Sequence, residues 1–148
     1  MLALGIAALI AACADDATLT CVDDVDFATC QPLYAPTWAN VYDNTIVRSC
    51  STGGRACHAA AGAQGDLVLE GSDRAYASLT TNHAYVTPGE AACSPMIERI
   101  YSRSPSLLMP RGARLPDPEA CAVAKWVAAG APGPIDAGVD ATVTGASP

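Results

Sequence analysis

Apolar positions recur at helical spacing in four places along the chain. Trp38, Val41, Tyr42, Thr45 and Ile46 fall at i, i+3, i+4, i+7 and i+8, the stripe of an amphipathic helix that opens near Pro36 and runs into Cys50. Ser72 or Asp73 can cap a short helix holding Tyr76 and Leu79. Ser94 and Pro95 start a third helix, with Met96, Ile97, Ile100 and Tyr101 on one side. Asp117-Pro118-Glu119 opens a fourth, buried through Val123, Trp126 and Val127 and stopped by Gly130 and Pro132. Between them, Leu67 and Leu69 suit a short extended piece. The stretch 81–92, with Pro88-Gly89, and the stretch with Pro105, Pro110, Gly112 and Pro116 read as loops.

These periodicities predict a small all-α domain over residues 36–131, with one of the two Trp on its first helix and the other on its last. The preceding stretch, 14–35, shows no periodicity and reads as an acidic linker. Residues 132–148, rich in Pro, Gly, Ala and Asp, read as a disordered tail.

Composition sharpens this picture. The chain of 148 residues is 51% hydrophobic, but Ala supplies much of that and there is one Phe, so a core built from it buries little area per residue. Cross-links or a large cofactor suit such a domain. The net charge of −7 speaks against nucleic acid as a partner, since phosphates need Lys and Arg to neutralise them. Six acids and no base lie in residues 14–47, which points to solubility rather than a docking role.

Residues 1–12 are apolar throughout and too short to span a bilayer. The run Leu9-Ile10-Ala11-Ala12-Cys13 resembles a bacterial lipobox, although no Lys or Arg precedes it. The expectation is a lipoprotein signal peptide over 1–13, with Cys13 lipidated and the rest held at the periplasmic or cell-surface face of a membrane. Setting Cys13 aside turns seven Cys into six: Cys21, Cys30, Cys50, Cys57, Cys93 and Cys121. Six Cys in a small exported domain point to cross-linking or cofactor attachment. Cys21 and Cys30 can close a small loop within the linker. Cys93 and Cys121, near the starts of the last two helices, read as a structural disulfide.

The chemistry gathers at Cys57-His58 with Cys50 upstream. A Cys-His pair after an earlier Cys follows the logic of covalent haem attachment, in which thioethers tether the macrocycle and the adjoining His reaches the iron. The usual spacing puts two residues between the cysteines; here there are six. Alternatives stay open for these residues. Cys50 and Cys57 can bond to each other across Gly53-Gly54, or join His58 at a zinc site whose fourth ligand is not evident. Met109-Pro110, about fifty residues on, can supply a second axial ligand from a loop stiffened by Pro. His83 is another distal candidate, though its loop position suits solvent. Arg111 and Arg114 can pair with haem propionates or be plain surface charge.

Taken together, Cys50…Cys57-His58, Ala75-Tyr76-Ala77-Ser78-Leu79, Pro88-Gly89-Glu90, Ser94-Pro95-Met96-Ile97, Met109-Pro110-Arg111-Gly112 and Trp126…Gly130-Ala131 resemble the c-type cytochrome domains of exported proteins in myxobacteria and planctomycetes. The resemblance spans residues 36–133. It implies a cytochrome c-like helical fold and one covalent haem c, tethered by Cys50 and Cys57, with His58 as proximal and Met109 as distal ligand. An apolar slot between His58 and Met109, walled by the small residues after His58, follows from that ligation.

The function expected is a one-electron carrier serving a redox partner, not an enzyme. No nucleophile–base–orienter set supports a hydrolase. The competing expectation is a haem-free, disulfide-stapled lipoprotein with a structural or binding role.

Overall fold

A computed structural model describes residues 18–51 and 57–134. The expectations placed on residues 1–13, Cys13 among them, and on residues 135–148 lie outside the described residues.

The fold is helical, with no strand among the described residues. Helix α1 (Trp38–Val41) passes without a break into a π-helical stretch, Tyr42–Cys50. Thr37 caps α1, its side chain accepting from the Asn40 N–H, and Pro36 lies just outside. Ser51 N–H donates to Ile46 C=O at 2.9 Å, the i→i−5 bond that widens the turn. Helix α2 spans Ser72–Thr80, α3 Pro95–Tyr101 and α4 Asp117–Ala128. The apolar stripes point where their spacing predicts: Trp38, Val41, Ile46, Leu79, Ile97, Val123, Trp126 and Val127 are all buried in one cluster.

Aromatic rings join three of the helices. Trp38 and Trp126 lie 5.2 Å apart between centroids, and Tyr76 stands edge-on to Trp38 at 5.3 Å. Each polar tip finds a partner. Trp38 Nε1 donates to Ser72 Oγ, Trp126 Nε1 to the Pro132 carbonyl and the Tyr76 hydroxyl to the Ala131 carbonyl. The packed part of the chain therefore runs past residue 131: Gly133 is buried, and a Cβ there would lie 3.2 Å from the Tyr76 ring.

Residues 18–34, expected as part of a linker, form a strap across α3 and α4. Val22 N–H donates to Ala92 C=O and Leu33 N–H to Pro118 C=O, both at 2.8 Å. Phe27 meets the Tyr101 ring edge-on at 5.5 Å, Lys125 Nζ donates to Ala28 C=O, and Arg103 pairs with Asp24.

The strap overturns both expected disulfides. Cys21 bonds Cys93 and Cys30 bonds Cys121, so neither Cys21–Cys30 nor Cys93–Cys121 forms. The reason is geometric. The strap crosses the two helix starts in turn, and each of its cysteines meets the helical cysteine beneath it. These links close loops of 72 and 91 residues, which restrict the unfolded chain more than the shorter loops expected.

Candidate haem site

The π-helical stretch delivers Cys50 to the edge of the core. Its side chain lies one turn beyond buried Ile46 and packs against the apolar cluster. The backbone then returns to it: His58 N–H donates to Cys50 C=O at 3.3 Å. From the other side, Leu69 N–H donates to His58 C=O at 2.7 Å, and Gln64 N–H to Cys57 C=O at 2.9 Å. Buried Leu67 and Leu69 anchor that side in the core. The small residues after His58 form tight turns, Ala63 N–H reaching Ala59 C=O at 2.8 Å, so the Cys57-His58 step is held between the π-helix end and the Leu67–Leu69 segment.

Two buried side-chain atoms among the described residues have no hydrogen-bond partner, His58 Nδ1 and Ser51 Oγ. Both belong to the segment that joins Cys50 to His58. A buried polar atom left unpaired costs on the order of 1–3 kcal/mol, so two in one short segment mark a place where the protein alone does not complete its bonding.

The two disulfides use four of the six cysteines beyond Cys13 and leave out Cys50 and Cys57. The alternative in which Cys50 and Cys57 bond to each other is therefore not adopted. Burial pushes the Cys50 thiol up to about 12, with the Glu119 carboxylate and then Cys57 adding to it. Glu119 accepts from Thr45 Oγ1 at 2.7 Å. The hydroxyl of Thr45 has one proton to give, so at the 2.5 Å contact with Tyr34 it is Tyr34 that donates. This Tyr34–Thr45–Glu119 chain was not read from the sequence. Its signal was there in Thr45, a polar residue on an otherwise apolar helix stripe.

Among the described residues no three His, Cys, Asp or Glu converge as a metal-ion site, which speaks against zinc held by Cys50, Cys57 and His58. An axial imidazole and a tether need no such convergence, because they act at different points of a macrocycle. A buried imidazole nitrogen without a protein partner, next to a cysteine outside both disulfides, is a donor set that fits haem c.

Met109 is half-buried in the loop after α3, its N–H donating to Arg99 C=O at 3.1 Å, and the Met109–Pro110 peptide is cis. The described hydrogen bonds gather Cys50, Cys57 and His58, and none of them links Met109 to that group. Two surface grooves stand out among the described residues. One, of about 490 Å³, is lined by Ala60 and residues 70–74; the other, of about 310 Å³, lies between the strap and the end of α3. Neither is lined by His58 or Met109, so the expected slot between those two is not one of them. His83 is exposed at the end of the Thr81–His83 turn, and Arg111 and Arg114 are exposed as well.

Residues 55–111 match the family described as Planctomycete cytochrome C. The matched stretch holds Cys57, His58 and the Met109-Pro110-Arg111 step, and it begins after Cys50. No curated protein and no solved structure matches the chain.

Proposed function

With a c-type cytochrome domain of the planctomycete type as premise, we propose that this chain is an exported, lipid-anchored carrier of one covalent haem c. The observation that carries the reading is the Cys57-His58 step: its imidazole has a buried nitrogen without a protein partner, and its cysteine lies outside both disulfides. When bound, the haem supplies an iron that gains and loses one electron.

The chain's own residues do the rest. Cys57 would tether the haem, and His58, its backbone fixed by Cys50 and Leu69, would hold the iron through its imidazole. Met109 would supply a second ligand, and a thioether there would favour a higher potential than a second imidazole. Half-buried Leu107 and Leu108 sit beside Met109 and can exclude water on that side. Disulfides persist in oxidising compartments, and two of them in so small a domain suit export. Anchorage rests on Cys13; no helix among the described residues is long and apolar enough to cross a membrane. The partner is another one-electron carrier.

A haem stain and optical spectrum test this reading on protein matured in a periplasm that holds cytochrome maturation machinery. A Soret band and haem that survives denaturation are expected; their absence overturns the reading. The second reading, a haem-free disulfide-stapled lipoprotein, is favoured by one observation: the two disulfides that staple the strap to the helices need no cofactor. The same spectrum separates the two.

A further inference from the structure

Building on the haem-bearing reading above, we propose that the macrocycle is held by a single thioether, from Cys57, and that Cys50 remains a thiol packed against the core.

Three independent observations lead there. The first is spacing. Attachment through two thioethers normally leaves two residues between the cysteines, and the residue at that spacing before Cys57 is Gly54, which carries no sulfur. Cys50 lies four residues further back. The second is placement. Cys50 ends the π-helical stretch with its side chain against the apolar cluster, on the same stripe as Ile46. Cys50 is half-buried at the edge of that cluster, and turning its Sγ outward to a macrocycle would take the side chain off the cluster and strain the last turn with its Ser51-to-Ile46 bond. Such a turn would also pull the Cys50 carbonyl from the His58 N–H that helps to fix the imidazole. The third is the family match, which starts at residue 55 and so contains Cys57 and His58 without Cys50.

The chemistry balances without an added oxidant or reductant. The S–H of Cys57 adds across one vinyl C=C of the haem. One S–C bond forms, the S–H bond and the vinyl π bond break, and the thiol hydrogen ends on the neighbouring vinyl carbon. The second vinyl group is left intact. Cys50 then has a structural task, filling the edge of the core and offering its carbonyl to His58.

The test is peptide mapping of the full chain matured with haem, unfolded without reductant and treated with an alkylating reagent. The expected result is haem on the Cys57 peptide and the alkyl group on Cys50. The reduced spectrum in alkaline pyridine should then fall between those of haem with two free vinyls and haem with none. Cys50→Ala should retain covalent haem at unchanged stoichiometry, and Cys57→Ala should lose it; circular dichroism on both variants shows that they remain helical. Haem bridging both cysteines, or bound to Cys50 alone, overturns this proposal and leaves the haem-bearing reading intact. Haem on neither cysteine overturns the haem-bearing reading and this proposal with it.

Discussion

Trp38 of α1 and Trp126 of α4 lie with ring centroids 5.2 Å apart, and the Tyr76 ring of α2 meets both, at 5.3 and 6.5 Å. In a core with one Phe and many Ala, these rings supply much of the apolar area that joins the helices. Trp126 is fully buried, and its Ala replacement should cost about 3–5 kcal/mol. Urea unfolding of Trp126→Ala with the disulfides intact reads that loss. A loss under about 1 kcal/mol would mean that the ring cluster does not hold the fold together.

The strap disulfides make a second prediction. Mapping without reduction should recover Cys21 joined to Cys93 and Cys30 joined to Cys121. Replacing Cys30 and Cys121 together by Ala should lower stability by roughly 2–5 kcal/mol, and it should free the strap to limited proteolysis. Recovery of Cys93 joined to Cys121 would contradict the way the strap crosses α3 and α4.

Alkaline pH should destabilise the haem-free protein through two half-buried groups. Burial pushes the Cys50 thiol from 9.0 up to about 12, aided by Glu119 and Cys57. Burial likewise pushes the Tyr101 phenol from 10.0 up to about 12; Asp117 adds to the shift and Arg114 opposes it. Both groups are acids whose folded-state pKa is raised. The stability linked to them is therefore fully present below the unfolded value and is lost as pH rises from about 9 to about 12. Urea midpoints across that window should fall steadily, and Cys50→Ala should flatten the start of the decline. A decline of the same shape in that variant would exclude Cys50 as its source.

If haem is bound, the two axial positions should respond differently. His58→Ala should abolish the low-spin spectrum. Met109→Ala should keep the covalent haem, lower the potential and admit carbon monoxide. A Met109→Ala protein with unchanged potential and no carbon monoxide binding would remove Met109 from the iron.

The lipid anchor is tested by Cys13→Ser, which should release the protein from membranes of the native host into the soluble fraction. Unchanged membrane retention, together with an unmodified Cys13, would exclude the anchor.

Much of the fold was legible in the sequence, because helix formation is a local matter. Trp38, Val41, Thr45 and Ile46 on one stripe, Pro95 at the start of α3 and Asp117-Pro118-Glu119 at the start of α4 each announce their element within a few residues. The adjacency of Cys57 and His58 is local as well, and so was the resemblance that the family match supports at residues 55–111. Tertiary structure alone decided what depends on distant residues meeting. No spacing could tell that Cys21 finds Cys93 or that Cys30 finds Cys121, 72 and 91 residues away, because pairing follows from how the strap crosses the helices. Nor could it show that Thr45 accepts from Tyr34 and donates to Glu119. The unpartnered atoms of Ser51 and His58 belong to the same class: burial and the lack of a partner are properties of the packed chain, because every residue around an atom must be in place before it can be left without a bond.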